Sequence, residues 1–332
     1  MPPGTVTYSK NIFIPVTNLC RNDCAYCGFK KRIEDGEGYL MSPREVKSIL
    51  DQKGDAKEAL FTFGERIEET EAGTTLLAEL GYSKMTEYLI DLCKMAIERG
   101  LLPHSNMGVI EYDDLRSIKP YNASMGLMLE TTAKIKAHER SPGKDPRLRI
   151  EMIENAGKLR IPFTTGLLIG IGERRSDRIE SLKEIARIHE EYGHIQEVII
   201  QPFHPKKGTE MASSPVPAFE EIRDVVTMAR KILPEEIAIQ VPPNLTSFEK
   251  LIECGVTDLG GISCVTMDYI NPEAPWPVLE ELKEKIAPHI LKERLAIYPK
   301  FIRKGWMGEY VRDLTLRYAD ELEDDQRGKG TD

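Results

Sequence analysis

The stretch NIFIPVTNLCRNDCAYCGFK, residues 11–30, sets an apolar run directly before three cysteines. Asn11 to Thr17 is rich in β-branched and apolar residues and reads as a strand. Cys20, Cys24 and Cys27 follow in the spacing C-x3-C-x2-C. Three thiols on one short loop pose a coordination question. A structural zinc site asks for four donors in a closed tetrahedron. A [4Fe–4S] cluster takes cysteine thiolate at its irons. Three cysteines can hold three corners of such a cluster and leave one iron open to a substrate or cofactor. The other thiols do not supply a clear fourth ligand. Cys93 in LIDLCKMAI and Cys254 in FEKLIECG sit on apolar helix faces and read as core residues. Cys264 in GISCVT reads as structural or pocket-lining, with ligation as the minor alternative.

Outward from this stretch, short apolar runs alternate with helical patterns. The further strand candidates are EALFTF from Glu58, LLPHSNMG from Leu101, ASMGLMLE from Ala123 and FTTGLLIG from Phe163. EVIIQPF from Glu197, AIQVPP from Ala238 and DLGGIS from Asp258 complete the set. Between them lie amphipathic stretches with helix signals. SPREVKSILDQKG has Ser42 as N-cap and Pro43 at the first helical position. KMTEYLIDLCKMAIERG closes on Gly100, and SDRIESLKEIARIHEEYG is expected to start at Ser176 and close on Gly193. Eight strands alternating with helices predict a parallel (β/α)8 TIM-like barrel, with an open doubly wound sheet as the alternative. We expect one barrel domain over residues 1–322 with N- and C-terminal extensions, and a disordered polar tail over 323–332.

A barrel gathers function at the C-terminal ends of its strands. The unusual residues fall there: the three cysteines, Gly64 and Glu65, Ser105 and Asn106, Glu130, and Gly170 to Glu173. Gln201, Phe203 and His204 follow, then Pro242, Pro243 and Asn244, and last Gly260, Gly261 and Ser263. The chain has 332 residues and a net charge of −9, from 54 acidic and 45 basic residues. No basic cluster suggests a nucleic-acid partner. No apolar run is long enough for a membrane span, and MPPGTVTYSKN lacks the features of a secretory signal. The expected location is cytoplasmic, where six cysteines read as ligands or core residues.

With Tyr26 before the last cysteine, the loop resembles that of the radical S-adenosylmethionine (SAM) enzymes. The resemblance implies a [4Fe–4S] cluster on Cys20, Cys24 and Cys27, with SAM as the second cofactor and an adenosyl radical as the product of one-electron reduction. It implies that Tyr26, Gly64, Glu65, Glu130, Arg149 and Ile171 surround SAM. FTFGER has Phe63 where the family's glycine-glycine-glutamate element has its first glycine. Glu130 and Arg149 resemble the acid and arginine that bind ribose and carboxylate in biotin-synthase-like members. GLLIGIGE resembles the element packed on adenine.

EVIIQPFHPKKGTEM, IQVPPNL and DLGGISCVTMDYINPEAPWP resemble a narrower family, the FO synthase component CofG. The likeness spans Asn11 to Trp306. Ala25, Cys264 and Met267 depart from the family's pattern. The likeness implies an ammonia-releasing lyase that completes 7,8-didemethyl-8-hydroxy-5-deazariboflavin (FO) from the 4-hydroxybenzyl adduct of ribityl-diaminouracil. Methionine, 5′-deoxyadenosine and ammonium are the co-products. It implies two functional partners, the tyrosine-coupling radical SAM enzyme and an external electron donor. Polar rim residues suit a hydroxyl-rich small molecule: Ser105, Asn106, Gln201, His204, Asn244, Ser263 and Asp268, with Tyr269 in a covering loop. Each also reads as a capping or loop residue. His204 is the candidate proton shuttle, or else a partner of Glu210. Alternatives are the tyrosine-coupling enzyme itself, a menaquinone-pathway cyclase, a non-catalytic metal-binding module, and a thiol redox protein using Cys24 and Cys27.

Overall fold

A computed structural model of the chain describes residues 4–263 and 265–328. Nine strands are present among them: β1 Thr5–Thr17, β2 Glu58–Phe63, β3 Leu102–Asn106, β4 Ser124–Gly126 and β5 Phe163–Ile169, then β6 Ile195–Pro202, β7 Ala238–Gln240, β8 Asp258–Ile262 and β9 Ile290–Arg294. Helices α1 Pro43–Leu50, α2 Glu71–Glu79, α3 Met85–Glu98, α4 Tyr112–Ile118, α5 Pro146–Lys158 and α6 Arg175–Tyr192 come first. Helices α7 Phe219–Ile232, α8 Glu249–Ile252, α9 Leu279–Ile286, α10 Pro299–Lys304 and α11 Arg312–Gly328 complete the chain.

Strands β1 to β8 pair in sequence order, all parallel, and β1 closes on both β2 and β8. The expected barrel is therefore the observed one. The ninth strand was not expected. Its residues, ILKER, are mostly polar and half-exposed, so they carry no apolar run. It pairs with the first half of β1, residues Thr5 to Ser9, which also alternates polar and apolar and extends that strand six residues before Asn11. Helix α11 continues to Gly328, past the expected boundary at 322.

Strand alternation sorts β1 into two faces. Ser9, Asn11 and Phe13 line a cavity along the barrel axis. Ile12, Ile14 and Val16 are fully buried in the layer between strands and helices, with Val46 and Leu50 of α1. Ser42 caps α1, and the Glu45 carboxylate returns to the Ser42 N–H at 2.7 Å. Gly193 ends α6 at φ +65°, where a residue without Cβ is free to turn left-handed. The start of α6 differs from expectation. Arg174 holds the cap position, and Asp177 accepts its N–H at 2.8 Å, so Ser176 lies inside the first turn.

Candidate active site

The cysteine loop begins where β1 loses its register with β2, between Pro15 and Thr17. Proline cannot donate to the ladder, so the strand ends in an irregularity there. Thr17 bridges Leu40 in antiparallel fashion and donates its hydroxyl to the Tyr39 carbonyl at 2.7 Å. Asn18 donates to the Glu37 carbonyl and accepts the Tyr39 N–H at 2.8 Å. The segment between them is thus a closed excursion over the barrel mouth. Its outer side is tied to the segment after β4: Asp23 and Ala25 donate N–H groups to the Arg140 and Ala137 carbonyls, and Asn22 accepts from Gly143.

Cys20, Cys24 and Cys27 are free thiols and part-exposed. Each sulfur faces a donor. Cys20 accepts the Glu65 N–H at 3.2 Å and the Asn22 N–H at 3.4 Å. Cys24 accepts the Ser141 hydroxyl at 3.2 Å, and Cys27 the Lys30 N–H at 3.5 Å. Burial pushes the Cys20 and Cys27 thiols upward, which disfavours free thiolates. Among the described residues no three His, Cys, Asp or Glu side chains close around a point fit for a single ion. Three thiols on one loop, each with a donor on sulfur, fit the demands of an iron–sulfur cluster. Cys93 is fully buried in the core and Cys254 packs against it. Cys264 lies outside the described residues.

Gly64 packs so tightly on this loop that a Cβ would collide with the Leu19 carbonyl. Glu65 follows it, and its carboxylate turns inward rather than toward the cavity. Arg21 donates to Oε1 at 3.0 Å, the Val109 N–H donates to Oε2 at 3.0 Å, and Arg149 lies 3.5 Å from Oε2. Burial pushes the Glu65 carboxyl up, but Arg149, the Val109 N–H, Lys144 and Arg21 outweigh it and hold it below the usual carboxylate range. Glu65, which the resemblance places around SAM, is thus already satisfied by protein groups.

Glu130 and Arg149 both line the cavity, together with Tyr26. Glu130 adopts φ +65°, a left-handed conformation that costs a non-glycine residue about 1–2 kcal/mol. Its backbone still bridges Leu167 of β5. Burial acts against its ionisation, and Lys144 and Arg149 overcome that effect. Arg149 is inward-facing on α5, with its guanidinium held by the Met128 carbonyl at 2.6 Å and the Gly143 carbonyl at 2.9 Å. Tyr26 shares a 3.0 Å hydrogen bond with His138 and packs with Leu168, Ile171 and Phe203. Ile171 sits in a turn whose N–H groups at Gly170 and Ile171 both reach the Glu173 carboxylate at 2.8 Å.

The cavity encloses about 430 Å³, running from Tyr26, Cys27 and Gly28 at the cysteine loop to Arg294 and Ala296 at the base. Asn106, Gln201, His204 and Asp268 line it as expected. Three predicted substrate residues do not. Ser105 is fully buried on the outer face of β3 and donates to Asn122 at 2.7 Å. Ser263 accepts the Thr266 N–H at 2.9 Å in a tight turn. Asn244 stands behind the wall and donates to Asp268 at 3.0 Å. Asp268 also accepts two backbone N–H groups, so it shapes the loop that carries it. Tyr269 stacks on Phe13 in that loop. His204 meets the Leu245 carbonyl at 3.2 Å, while Glu210 pairs with Arg140.

Several cavity residues escaped sequence reading. Lys144, 2.5 Å from Glu130, lies in an ordinary-looking loop. His104 on β3 has its tautomer fixed by a relay. Ser124 donates to the Ala296 carbonyl at 2.7 Å, so His104 Nδ1 must donate to Ser124, also at 2.7 Å. Nε2 meets the Asn106 side-chain amide at 3.3 Å, and burial holds the imidazole neutral by lowering it to about 4. At the base, Arg294 pairs with Asp258 at 2.6 Å and Glu197 at 2.7 Å, and its guanidinium lies 4.4 Å over the Tyr298 ring. Burial pushes Glu197 upward, as do Asp258 and Glu58, against the pull of Arg294.

The radical SAM superfamily model matches residues 14–185, which contain the cysteine loop, Glu130 and Arg149. A 7,8-didemethyl-8-hydroxy-5-deazariboflavin synthase of Methanosarcina mazei is 55% identical over 317 residues, covering 95% of each chain. That of Archaeoglobus fulgidus is 52% identical over 318 residues, covering 95% of this chain and 97% of its own. Among solved structures, the FeFe-hydrogenase maturase HydG from Carboxydothermus hydrogenoformans superposes with a TM-score of 0.71 at 15% identity. That match covers 98% of this chain and 75% of the maturase, a likeness of fold.

Proposed function

The chain belongs to the 7,8-didemethyl-8-hydroxy-5-deazariboflavin synthases of the radical SAM superfamily, and on that premise we propose that its barrel cavity is where FO is formed. The enzyme is an ammonia-releasing lyase acting on the 4-hydroxybenzyl adduct of ribityl-diaminouracil. The observation that carries the reading is continuity: Cys27 and Tyr26 line the same cavity as Glu130, Arg149 and the polar barrel floor.

Cys20, Cys24 and Cys27 would hold a [4Fe–4S] cluster, and Glu130, Arg149 and Tyr26 would contact SAM. Together these cofactors supply one-electron reduction and an adenosyl radical when bound. The chain's own part is positioning and exclusion of water. Glu130, ionised beside Lys144, suits ribose hydroxyls. The neutral apolar group of Tyr26, Leu168 and Phe203 walls the site against solvent. Asn106 and Gln201 offer hydrogen bonds to a polar substrate, and His204, which also lines the cavity, would relay a proton. Gly64 holds the cysteine loop against β2, with Glu65 buttressing Arg149 from behind. Two partners complete the reading, a tyrosine-coupling enzyme that supplies the adduct and an external electron donor.

The test is anaerobic reconstitution with iron and sulfide, then SAM and dithionite, with and without the adduct. Deoxyadenosine together with fluorescent deazaflavin is expected. Deoxyadenosine without deazaflavin would move the assignment to a sibling substrate. A chain with its cluster in place and no deoxyadenosine would overturn it.

A further inference from the structure

The floor of this barrel is polar, where barrels are ordinarily filled by branched apolar side chains. Asn11 of β1 and Glu58 of β2 are register partners across the parallel pair. Both line the cavity, and they are 1% and 5% exposed. Three of their atoms, Asn11 Oδ1, Asn11 Nδ2 and Glu58 Oε2, have no hydrogen-bond partner in the protein. Buried amides and carboxylates are nearly always paired. Neighbouring backbone preserves the arrangement: a Cβ at Gly261 would run into the Asn11 amide. His104 and Asn106, paired with each other, line the same cavity.

We propose that Asn11 and Glu58 recognise the N–H and C=O edge of a pyrimidinedione, seating the heterocyclic end of the substrate at the barrel floor. This rests on the functional reading above and adds an orientation to it. A primary amide presents one donor and one acceptor in one plane, the complement of a ring N–H beside a ring carbonyl. Glu58 adds an acceptor for a second ring N–H. A polyol chain asks for no such coplanar pair. With the ring at the floor, the benzylic carbon of the adduct is directed up the axis toward the cysteine loop.

The experiment is anaerobic calorimetry on the full chain with its cluster reconstituted. The probe is 5-amino-6-ribitylaminouracil, which lacks the hydroxybenzyl group. Asn11→Asp, which keeps shape and removes the amide donor, and Glu58→Gln are each expected to weaken the probe tenfold or more. SAM affinity should stay unchanged in both. A probe methylated at its ring nitrogens should bind the wild type weakly and lose little further in Asn11→Asp. Wild-type probe affinity in both variants, with cluster absorbance and SAM binding retained, would overturn the assignment alone. So would an equal loss for ribitol used as the competitor, which would place the polyol at the floor. A wild-type chain that makes deoxyadenosine and binds no pyrimidine would overturn the functional reading as well. Asn11→Leu serves as the second variant where Asn11→Asp fails to fold.

Discussion

Lys144 Nζ lies 2.5 Å from Glu130 Oε1, and both side chains line the cavity just above the barrel strands. The pair is held by a left-handed residue at the end of β4 and by a loop reaching over from before α5. Glu130 is thereby kept ionised in a nearly water-free place. Hydrogen bonds to a charged acceptor contribute about 1.5–3 kcal/mol each. Glu130→Gln should therefore weaken SAM about tenfold or more with the cluster intact, read by anaerobic calorimetry. Unchanged affinity would remove Glu130 from the SAM site.

Glu65 makes a different prediction, because its partners are protein groups. Replacing it by Leu strands Arg149, which is 4% exposed, beside Arg21. Removing one partner of a buried pair typically costs about 3–5 kcal/mol. Urea unfolding should show a loss of that order. A stability equal to wild type would mean that the arginines find other partners.

Ser141 accepts the Asp23 N–H at 3.1 Å, which leaves its own proton for Cys24 Sγ. A donor on a ligating sulfur favours the reduced, more negative cluster. Ser141→Ala should lower the cluster potential in a redox titration followed by electron paramagnetic resonance. Cys24→Ser should remove the cluster absorbance itself. An unchanged potential would place Ser141 outside the cluster's influence.

Ser105→Ala tests its placement on the outer face of β3. It should cost ~1 kcal/mol through the lost bond to Asn122 and leave the KM for the adduct unchanged. A raised KM with normal stability would return Ser105 to the substrate site.

Two buried histidines predict sensitivity to mild acid. Burial lowers His104 to about 4 and His194 to about 3, from an ordinary 6.5. Below pH 6.5 the unfolded chain binds protons that the native chain refuses, so stability falls as pH drops. The contribution is full above 6.5 and lost progressively toward 4 and 3. Between pH 7 and 4.5 these two rings alone should account for a fall of up to two protons, roughly 2.7 kcal/mol per pH unit, read from urea unfolding. A flat profile across that window would contradict the neutral assignment of both rings.

The barrel was legible because its outer faces are written in isoleucine, valine and leucine at alternate positions. The same rule hid the first half of β1 and all of β9, whose inward or exposed residues are polar and interrupt any apolar run. The cysteine spacing is local and needed no tertiary information. Glu130 and Arg149 were named from a family resemblance, and both line the cavity. Ser105 was misplaced because its neighbours His104 and Asn106 face the axis, and one residue of offset reverses the face. Lys144, Asn11 and Glu58 gave no local signal. Their roles depend on which strands lie side by side, a fact that exists only after the barrel closes.

Arg294, Asp258 and Glu197 have a consequence for traffic. All three are at most 8% exposed, and together they stopper the barrel at its base. With the base closed, the cavity opens toward the cysteine loop, where Tyr26, Cys27 and Gly28 line it. Whatever rests on the floor must arrive before the molecule that lies above it. Substrate and coenzyme would load in sequence and leave in reverse, so the queue at the mouth becomes part of the kinetics.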